Sequence, residues 1–303
     1  MVVESTQRGT RLIFIRNALQ AKMDSNSLTE LLDKRLKGWD TPRSYKTIHA
    51  SQITNQEQVF CPREIALLHI TKKEQKGRFI NAATRVAFDN GDALSDLCRN
   101  KWLRHDVVGT WDCIHCSHSV MFSKQPKAGC PKCGKKDWRY VEEQFVDPKS
   151  GVSGSIDFFI DFDSGKHIAV EVKSIGKDDF KNLVAPLAEH LIRTEIYLEL
   201  IERSGRDDVA KIDTSHAKVL YLSKGYGAKH SDFGRVLPFK DYNVVRNSKR
   251  ASSYLALGQP VTEFLAGGPI PKGICPSALS PRTKTCVVAA ECFGGDYPAG
   301  SKV

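Results

Sequence analysis

The chain runs to 303 residues, 41% of them apolar, and its lysines and arginines outnumber its acids by ten. Such a composition buries the core of one large or two modest domains and excludes a disordered tail. No apolar run approaches the roughly 20 residues of a membrane-spanning helix, and the opening MVVESTQRGTR lacks the apolar stretch of a secretory leader, so a cytoplasmic protein with no membrane partner is expected. The basic balance suits a polyanionic partner, although charge of this size equally serves solubility.

In chain order, Ser27 and Glu30 make a capping-box pair that opens a short helix over LTELLDKRL, with Gly38 placed to end it. Residues 39–58 show no clear period and read as loop. CPREIALLHI starts a helix at Pro62, and apolar residues at helical spacing run from Ala82 to Leu103, interrupted by Gly91. After Asp106 a polar, glycine- and cysteine-marked stretch extends to Trp138, too poor in aliphatics to hold a core without a metal staple. RYVEEQFV, GSIDFFIDF and HIAVEVKSI read as three strands, followed by a helix across LVAPLAEHLIRTEIYLELIE, strands at AKVLYLS and RVLPF, and a helix over YNVVRNSKRASSYLAL. The pattern predicts an α/β fold with a mixed central sheet flanked by helices. Its expected divisions are an N-terminal helical or extended region (1–60), a helical part (61–106), a cysteine-bearing insertion (107–138), the core (139–260) and a C-terminal cysteine-containing segment (261–303).

The strands GSIDFFIDF and HIAVEVKSI carry the chemistry. If a three-residue loop from Asp163 to Gly165 joins them, glycine takes the left-handed position such hairpins need. Phe162 then pairs with Lys166, Ile160 with Ile168 and Phe158 with Val170, so Asp157 falls opposite Glu171, and alternation puts Lys173 on the same face as Glu171. Facing carboxylates repel unless a proton or cation intervenes. Magnesium or manganese would resolve the conflict, because such ions take oxygen ligands, keep several waters and activate one of them. Lys173 would add fixed positive charge against a phosphate. These residue types in this order point to metal-dependent phosphodiester hydrolysis, with Asp157, Glu171 and Lys173 catalytic. The blander alternative is an ion pair on an exposed edge; the apolar run in IAVEVK argues against it, since buried strands seldom carry unpaired charge.

The nine cysteines fall into sets. Cys113, Cys116, Cys130 and Cys133 form two CxxC knuckles, the spacing of a structural zinc site with no open position for substrate. His115 and His118 read as ordinary loop residues. Lys124, Lys127, Lys132, Lys135 and Lys136 with Trp138 make either a phosphate-contacting surface or a solvated lysine face. Cys61, Cys275, Cys286 and Cys292 are a second set with weaker spacing, and Cys98 reads as core.

These motifs resemble the RecB-like branch of the PD-(D/E)xK nucleases, especially its iron-sulfur group containing CRISPR adaptation nucleases and related phage proteins. SGSIDFF is similar to the family's aspartate strand, AVEVKS to its ExK strand and HLIRTEIYLEL to the helix that follows; VLYLSKG and PFK suit the later strands. The resemblance implies a restriction-endonuclease-like core with a zinc-ribbon insertion. It also implies magnesium or manganese on Asp157, Glu171 and the backbone carbonyl of Val172. For Cys61, Cys275, Cys286 and Cys292 it implies a 4Fe-4S cluster, with a second zinc or free thiols as the alternatives. The implied activity is a DNA exonuclease acting on single strands or duplex ends in recombination, repair or phage replication. Recombination or replication proteins would be its partners, and a host cytoplasm its location if phage-encoded. Two positions depart from the pattern. Arg193 stands at the glutamine position four residues before Tyr197, and Ser95 stands where GDALS would carry a metal-binding histidine. Asp92, Asp96, Glu142 and Glu143 are the acids that would supply a ligand instead. The departures keep a second reading open, a catalytically weak or inactive nucleic-acid-binding or assembly module, and the same carboxylates would equally serve RNA or sequence-specific cleavage.

Overall fold

The computed structural model describes residues 28–39, 45–55, 59–73, 79–162, 165–225 and 237–294. The chain divides into two compact units, 1–42 with 76–89, and 43–75 with 90–303. In the first unit the helix Leu28–Leu36 forms where expected, and Gly38–Trp39 pairs antiparallel with Phe79–Ile80. The ring of Trp39 meets that of Phe79 edge-on at 5.7 Å. Ser27, the expected cap, lies outside the described residues.

The second unit holds two sheets. Its strands are β1 (Ile48–His49), β2 (Val107–Cys113), β3 (Ser119–Lys124), β4 (Trp138–Val141), β5 (Glu143–Val146), β6 (Val152–Ile156), β7 (Phe158–Asp161), β8 (His167–Ile175), β9 (Ile212–Ser223) and β10 (Phe239–Val245). The larger sheet runs β10-β9-β8-β7-β2-β3, with β4 also paired to β2; the smaller runs β1-β6-β5. Within the larger sheet only β8 and β9 are parallel. The helices are α1 (Pro62–Thr71), α2 (Ala82–Leu97, begun in the first unit), α3 (Lys177–Asn182), α4 (Ala188–Arg203), α5 (Ser248–Leu255), α6 (Gln259–Leu265) and α7 (Ala289–Gly294). No described helix is long and apolar enough to cross a membrane.

Four expectations need correction. RYVEEQFV is not one strand but breaks at Glu142 into β4 of the larger sheet and β5 of the smaller. GSIDFFIDF breaks likewise at Asp157 into β6 and β7. The helix expected from Leu183 starts only at Ala188, because Pro186 disfavours the helical conformation at the residue before it and Leu187 remains in the β region as the N-cap. The segment from Tyr242 to Val245 is strand, paired with β9, and the helix waits for Asn247, whose side chain caps it at Arg250. In addition, the stretch read as loop contains β1 and one helical turn, Ala50–Ile53. Gly91 does not interrupt α2, which continues into a wider turn at Cys98–Trp102 with Cys98 buried.

The two faces of the larger sheet are both covered. Ala169 and Phe159 join Ile196, Leu200 and Ile201 of α4 in one core, while Val170, Val172, Phe158 and Ile160 pack with Cys98, Trp111, Trp138 and Tyr140 in another. Two-sided burial explains the near-continuous apolar run of β8. Gly154 of β6 lets α4 come close, since a Cβ there would lie 2.5 Å from the ring of Tyr197. Buried acids fasten α4 to α5: Glu195 accepts from Arg250 Nε at 2.7 Å, and Glu199 accepts from Arg203 Nε at 2.8 Å and from Ser248 Oγ at 2.9 Å. The cysteine-bearing β2 hydrogen-bonds directly to β7 through Val107 and Val108, so the knuckles are mounted on the main sheet.

Candidate active site and cysteine sites

The β7–β8 hairpin takes the register derived above, with Ile160 opposite Ile168 and Phe158 opposite Val170. Gly165 has φ +78°, the left-handed conformation, while Asp163 and Ser164 of the turn lie outside the described residues. The last rung is Phe158 to Val170. Immediately before it the chain leaves for the smaller sheet, where Ile156 pairs with Glu143. Asp157 therefore belongs to neither ladder. Its Oδ2 fills the vacated rung, accepting the backbone N–H of Val172 at 2.6 Å.

Glu171 and Lys173 project from β8 beside it. Glu171 is 5% exposed, and Lys173 Nζ donates to its Oε1 at 2.5 Å. Burial, and after it the negative charge of Glu171, push the Asp157 carboxyl up to about 8 against the opposing pull of Lys173. Burial alone would lower the Lys173 ammonium, but Glu171 and Asp157 outweigh it and hold it above its ordinary value. Two carboxylates and an ammonium thus share one poorly solvated place at the junction of the sheets.

The other expected residues surround this centre unequally. Arg193 sits on α4 near enough for its charge to act on Lys173, and it is paired with Glu189 one turn earlier. Tyr197 is core, its ring against Gly154. Glu142 is exposed, adds to the negative potential at Asp157 and is bound by Arg99 Nη1 at 2.5 Å; the same guanidinium holds Asp96 at 2.6 Å. Glu143 is buried and engaged by Thr110 and by Arg206 at 3.3 Å, on the wall of an open groove of about 670 Å³ that Met121 and Glu142 also line. Asp92 is exposed on α2. None of these four acids completes a tight three-ligand group with Asp157 and Glu171 among the described residues.

Sequence reading missed His190 and Tyr221. Tyr221 stands in register with Lys173 on the neighbouring strand, and its hydroxyl accepts the Leu187 N–H at 3.0 Å and lies 2.8 Å from His190 Nδ1. Burial, then the charges of Lys173 and Arg193, lower His190 to about 3, so it is neutral. The signal available was its position one turn before Arg193 on the helix that follows the ExK strand.

Cys113, Cys116, Cys130 and Cys133 form a group that can hold a metal, all four sulfurs lying within 4.8 Å of one another. Cys113 and Cys133 are 3.5 Å apart and Cys116 and Cys130 3.6 Å. The two knuckles repeat one turn: Ser117 N–H bonds to Cys113 O and Gly134 N–H to Cys130 O, and the residue after each second cysteine is left-handed, with φ +55° at Ser117 and +74° at Gly134. Burial raises the Cys130 thiol, but N–H groups of Lys132 and Cys133 outweigh it and bring it down to about 7, which favours the thiolate. His115 is paired with Asp137 and takes no place among the four. Trp138 is buried in the core rather than offered to a ligand, and Lys124 meets Asp161 at 3.3 Å.

Cys61, Cys275, Cys286 and Cys292 line one cavity, with Glu64 and Arg282. The segment from Pro271 to Cys292 lies against α1: Arg63 donates to Pro271 O at 3.3 Å and Cys292 O at 3.5 Å, and Arg282 binds Glu64 at 2.6 Å.

No protein-family model and no curated protein matches this chain. Among solved structures it is similar to SSO0001, with 14% identity, a TM-score of 0.36, and coverage of 90% of this chain and 97% of that one. It is also similar to the alkaline exonuclease LHK-Exo from Laribacter hongkongensis, with 12% identity, a TM-score of 0.39, and coverage of 78% and 96%. The same exonuclease in complex with dAMP gives 12% identity and a TM-score of 0.41 over 73% and 89%. At these TM-scores the likeness says nothing about the site.

Proposed function

We propose that the chain is a divalent-metal-dependent deoxyribonuclease acting on DNA ends, with Asp157, Glu171 and Lys173 as its catalytic residues. The observation that carries this reading is the Asp157 carboxylate set on the Val172 N–H beside a buried Glu171 and its lysine. Two acids held this close, one of them pushed up to about 8, are a site that gains from a cation. The donor set suits magnesium or manganese, which take oxygen ligands and keep several waters, so two carboxylates suffice. In an extended strand a residue's N–H and C=O share one edge, so the Val172 carbonyl points to the side from which Asp157 reaches. It would be the third protein ligand. The bound ion would supply a polarised phosphate oxygen and a more acidic water. Lys173 would orient that water and oppose charge developing on the phosphate, and Arg193 would steer the strand.

The four knuckle thiolates would hold a structural zinc, since they close a tetrahedron. The second set differs. Among the described residues no three of its sulfurs lie mutually within 4.8 Å, yet all four line one cavity. Thiolates suit zinc and iron-sulfur alike, and the motif resemblance favours a 4Fe-4S cluster in that cavity. A role in recombination, repair or phage replication follows from the motif resemblance.

The test is digestion of single-stranded, double-stranded and circular DNA with magnesium or manganese. Wild type degrades linear DNA and spares circles, while Asp157→Asn, Glu171→Gln and Lys173→Met lose roughly a hundredfold or more with their folds intact. DNA that is bound but uncut under every metal would instead favour the binding-module reading, which Ser95 and Arg193, the two departures from the motif, support.

A further inference from the structure

Tyr221 is fully enclosed, and its hydroxyl has two neighbours among the described residues, the Leu187 N–H at 3.0 Å and His190 Nδ1 at 2.8 Å. A backbone N–H can only donate. The hydroxyl therefore accepts from Leu187, and its own proton goes to the lone pair of His190 Nδ1. Were Nδ1 protonated, both neighbours would donate to one oxygen, and a buried hydroxyl proton would be left without an acceptor. The bond thus fixes His190 as the tautomer that carries its proton on Nε2.

The ring so oriented stands among the residues of the candidate site. Tyr221 is the register partner of Lys173 on the adjacent strand, and the charge of Glu171 reaches its hydroxyl. His190 feels the charges of Lys173 and of Arg193, one turn further along α4. The ring is half-buried. Nε2, across it from Tyr221, has no partner among the described residues and is not enclosed.

We infer that His190 is a further catalytic residue, donating its Nε2–H to a non-bridging oxygen of the scissile phosphate, and that Tyr221 is the residue that positions it. The inference rests on the nuclease reading and deepens it by adding a donor that carries no charge. Lys173 and Arg193 already set two cations at this place, and both would repel a third. A neutral N–H meets the charge on the phosphate oxygens without that cost, and its direction is set before substrate arrives. Burial, and after it the same two cations, lower the imidazole to about 3, which makes it too weak a base to take a proton from the attacking water at neutral pH. Its part is that of a donor.

The experiment has a kinetic and a spectroscopic arm. On a single-stranded oligonucleotide with manganese, His190→Phe, which keeps a ring of similar size, should lower kcat about a hundredfold while KM changes less than about threefold. His190→Gln, whose amide offers an N–H near the Nε2 position, should recover about tenfold of that loss, and Tyr221→Phe should lose about tenfold in kcat. The second arm does not depend on cleavage. Nuclear magnetic resonance of the isotopically labelled imidazole nitrogens of the nine histidines identifies the His190 pair as the one missing from His190→Phe. In wild type Nδ1 should be bare and Nε2 protonated, and Tyr221→Phe should mix the two tautomers. Saturation with the same oligonucleotide and calcium should move the Nε2 resonance and leave Nδ1 in place. A proton on Nδ1 in wild type, an Nε2 resonance that DNA does not move, equal losses in His190→Phe and His190→Gln, or a loss confined to KM overturns the inference. A wild type that cuts nothing would count against the nuclease reading, and the Nε2 resonance would still decide whether His190 meets a phosphate.

Discussion

Asp157 and Glu171 compete for the same poorly solvated space, and the proton that Asp157 keeps below about pH 8 relieves that competition when no cation does. An acid raised in the folded state contributes stability that is fully present below its unfolded value and is lost as pH rises through the folded one. His190, lowered to about 3, contributes stability that grows as pH rises toward its unfolded value of 6.5 and offsets the Asp157 loss there, so the metal-free protein should lose stability chiefly between about pH 6.5 and pH 8, by on the order of 2 kcal/mol. Lys173, also raised, exerts its effect only above the ordinary lysine range and leaves that window alone. Manganese needs the deprotonated carboxylate, so its stabilisation should grow across the same interval. Thermal melts at pH 6.0 and 8.5 with and without manganese check this: the metal-induced rise in Tm should be larger at the higher pH, and Asp157→Asn should flatten the difference. A rise independent of pH in wild type would remove Asp157 from the ligand set. The β7–β8 register as far as Phe158 and Val170 was legible because it follows from turn length and alternation; the next rung, Asp157 with Glu171, does not form. The break at Asp157 was not legible, because GSIDFFIDF alternates smoothly through it and only the pairing of Ile156 with a distant Glu143 makes the chain change sheets.

Among the elements, α4 does two jobs, and only one could be read from its sequence. Its apolar positions announce a helix, and Arg193 on it lies near enough for its charge to act on Lys173. The buried acids Glu195 and Glu199 carry no local mark distinguishing them from solvated glutamates; apart from Arg203, one turn after Glu199, their partners lie some fifty residues downstream on α5 and at Arg246 just before it. Glu195 is enclosed and takes both Nε and Nη2 of Arg250. Removing one partner of a buried pair leaves the other uncompensated, the costlier of the possible changes. Arg250→Ala should therefore destabilise by about 2–4 kcal/mol, discounted slightly for the partial exposure of the guanidinium. Replacing both, Glu195→Leu with Arg250→Leu, should recover most of the loss. Urea melts of the three proteins decide it, and a double variant no more stable than Arg250→Ala would mean that shape rather than charge couples α4 to α5. The loop before α4 escaped the sequence for a related reason: LVAPLAEHLI continues the helical period of apolar residues backward past Pro186, yet β10 anchors the Leu183 carbonyl outside any helix and Val184 and Leu187 are exposed.

At the scale of the molecule, the segment from Pro271 to Cys292 is joined to α1 and the residues just after it, across some two hundred residues, by Val288 buried in the core with Leu67 and Leu68, and by three arginine contacts and a Lys73–Glu291 pair, the polar contacts all partly exposed and individually weak. Closing so long a loop costs chain entropy that such contacts offset poorly. A cluster held by Cys61 from one end and Cys275, Cys286 and Cys292 from the other would supply the missing link, as any covalent tie across a long loop does. The sequence made this set visible only through resemblance, since Cys61 stands far from the other three and nothing local connects them. Purified anaerobically, the protein should be brown and carry about four irons per chain in addition to zinc. Cys292→Ser should bleach the colour and expose Arg282 and Lys284 to trypsin, with cleavage confined to the C-terminal segment while the main sheet resists. Zinc alone in the wild type, with Arg282 as resistant in Cys292→Ser as before, would mean that the arginine contacts suffice and that these four cysteines are thiols lining a cavity.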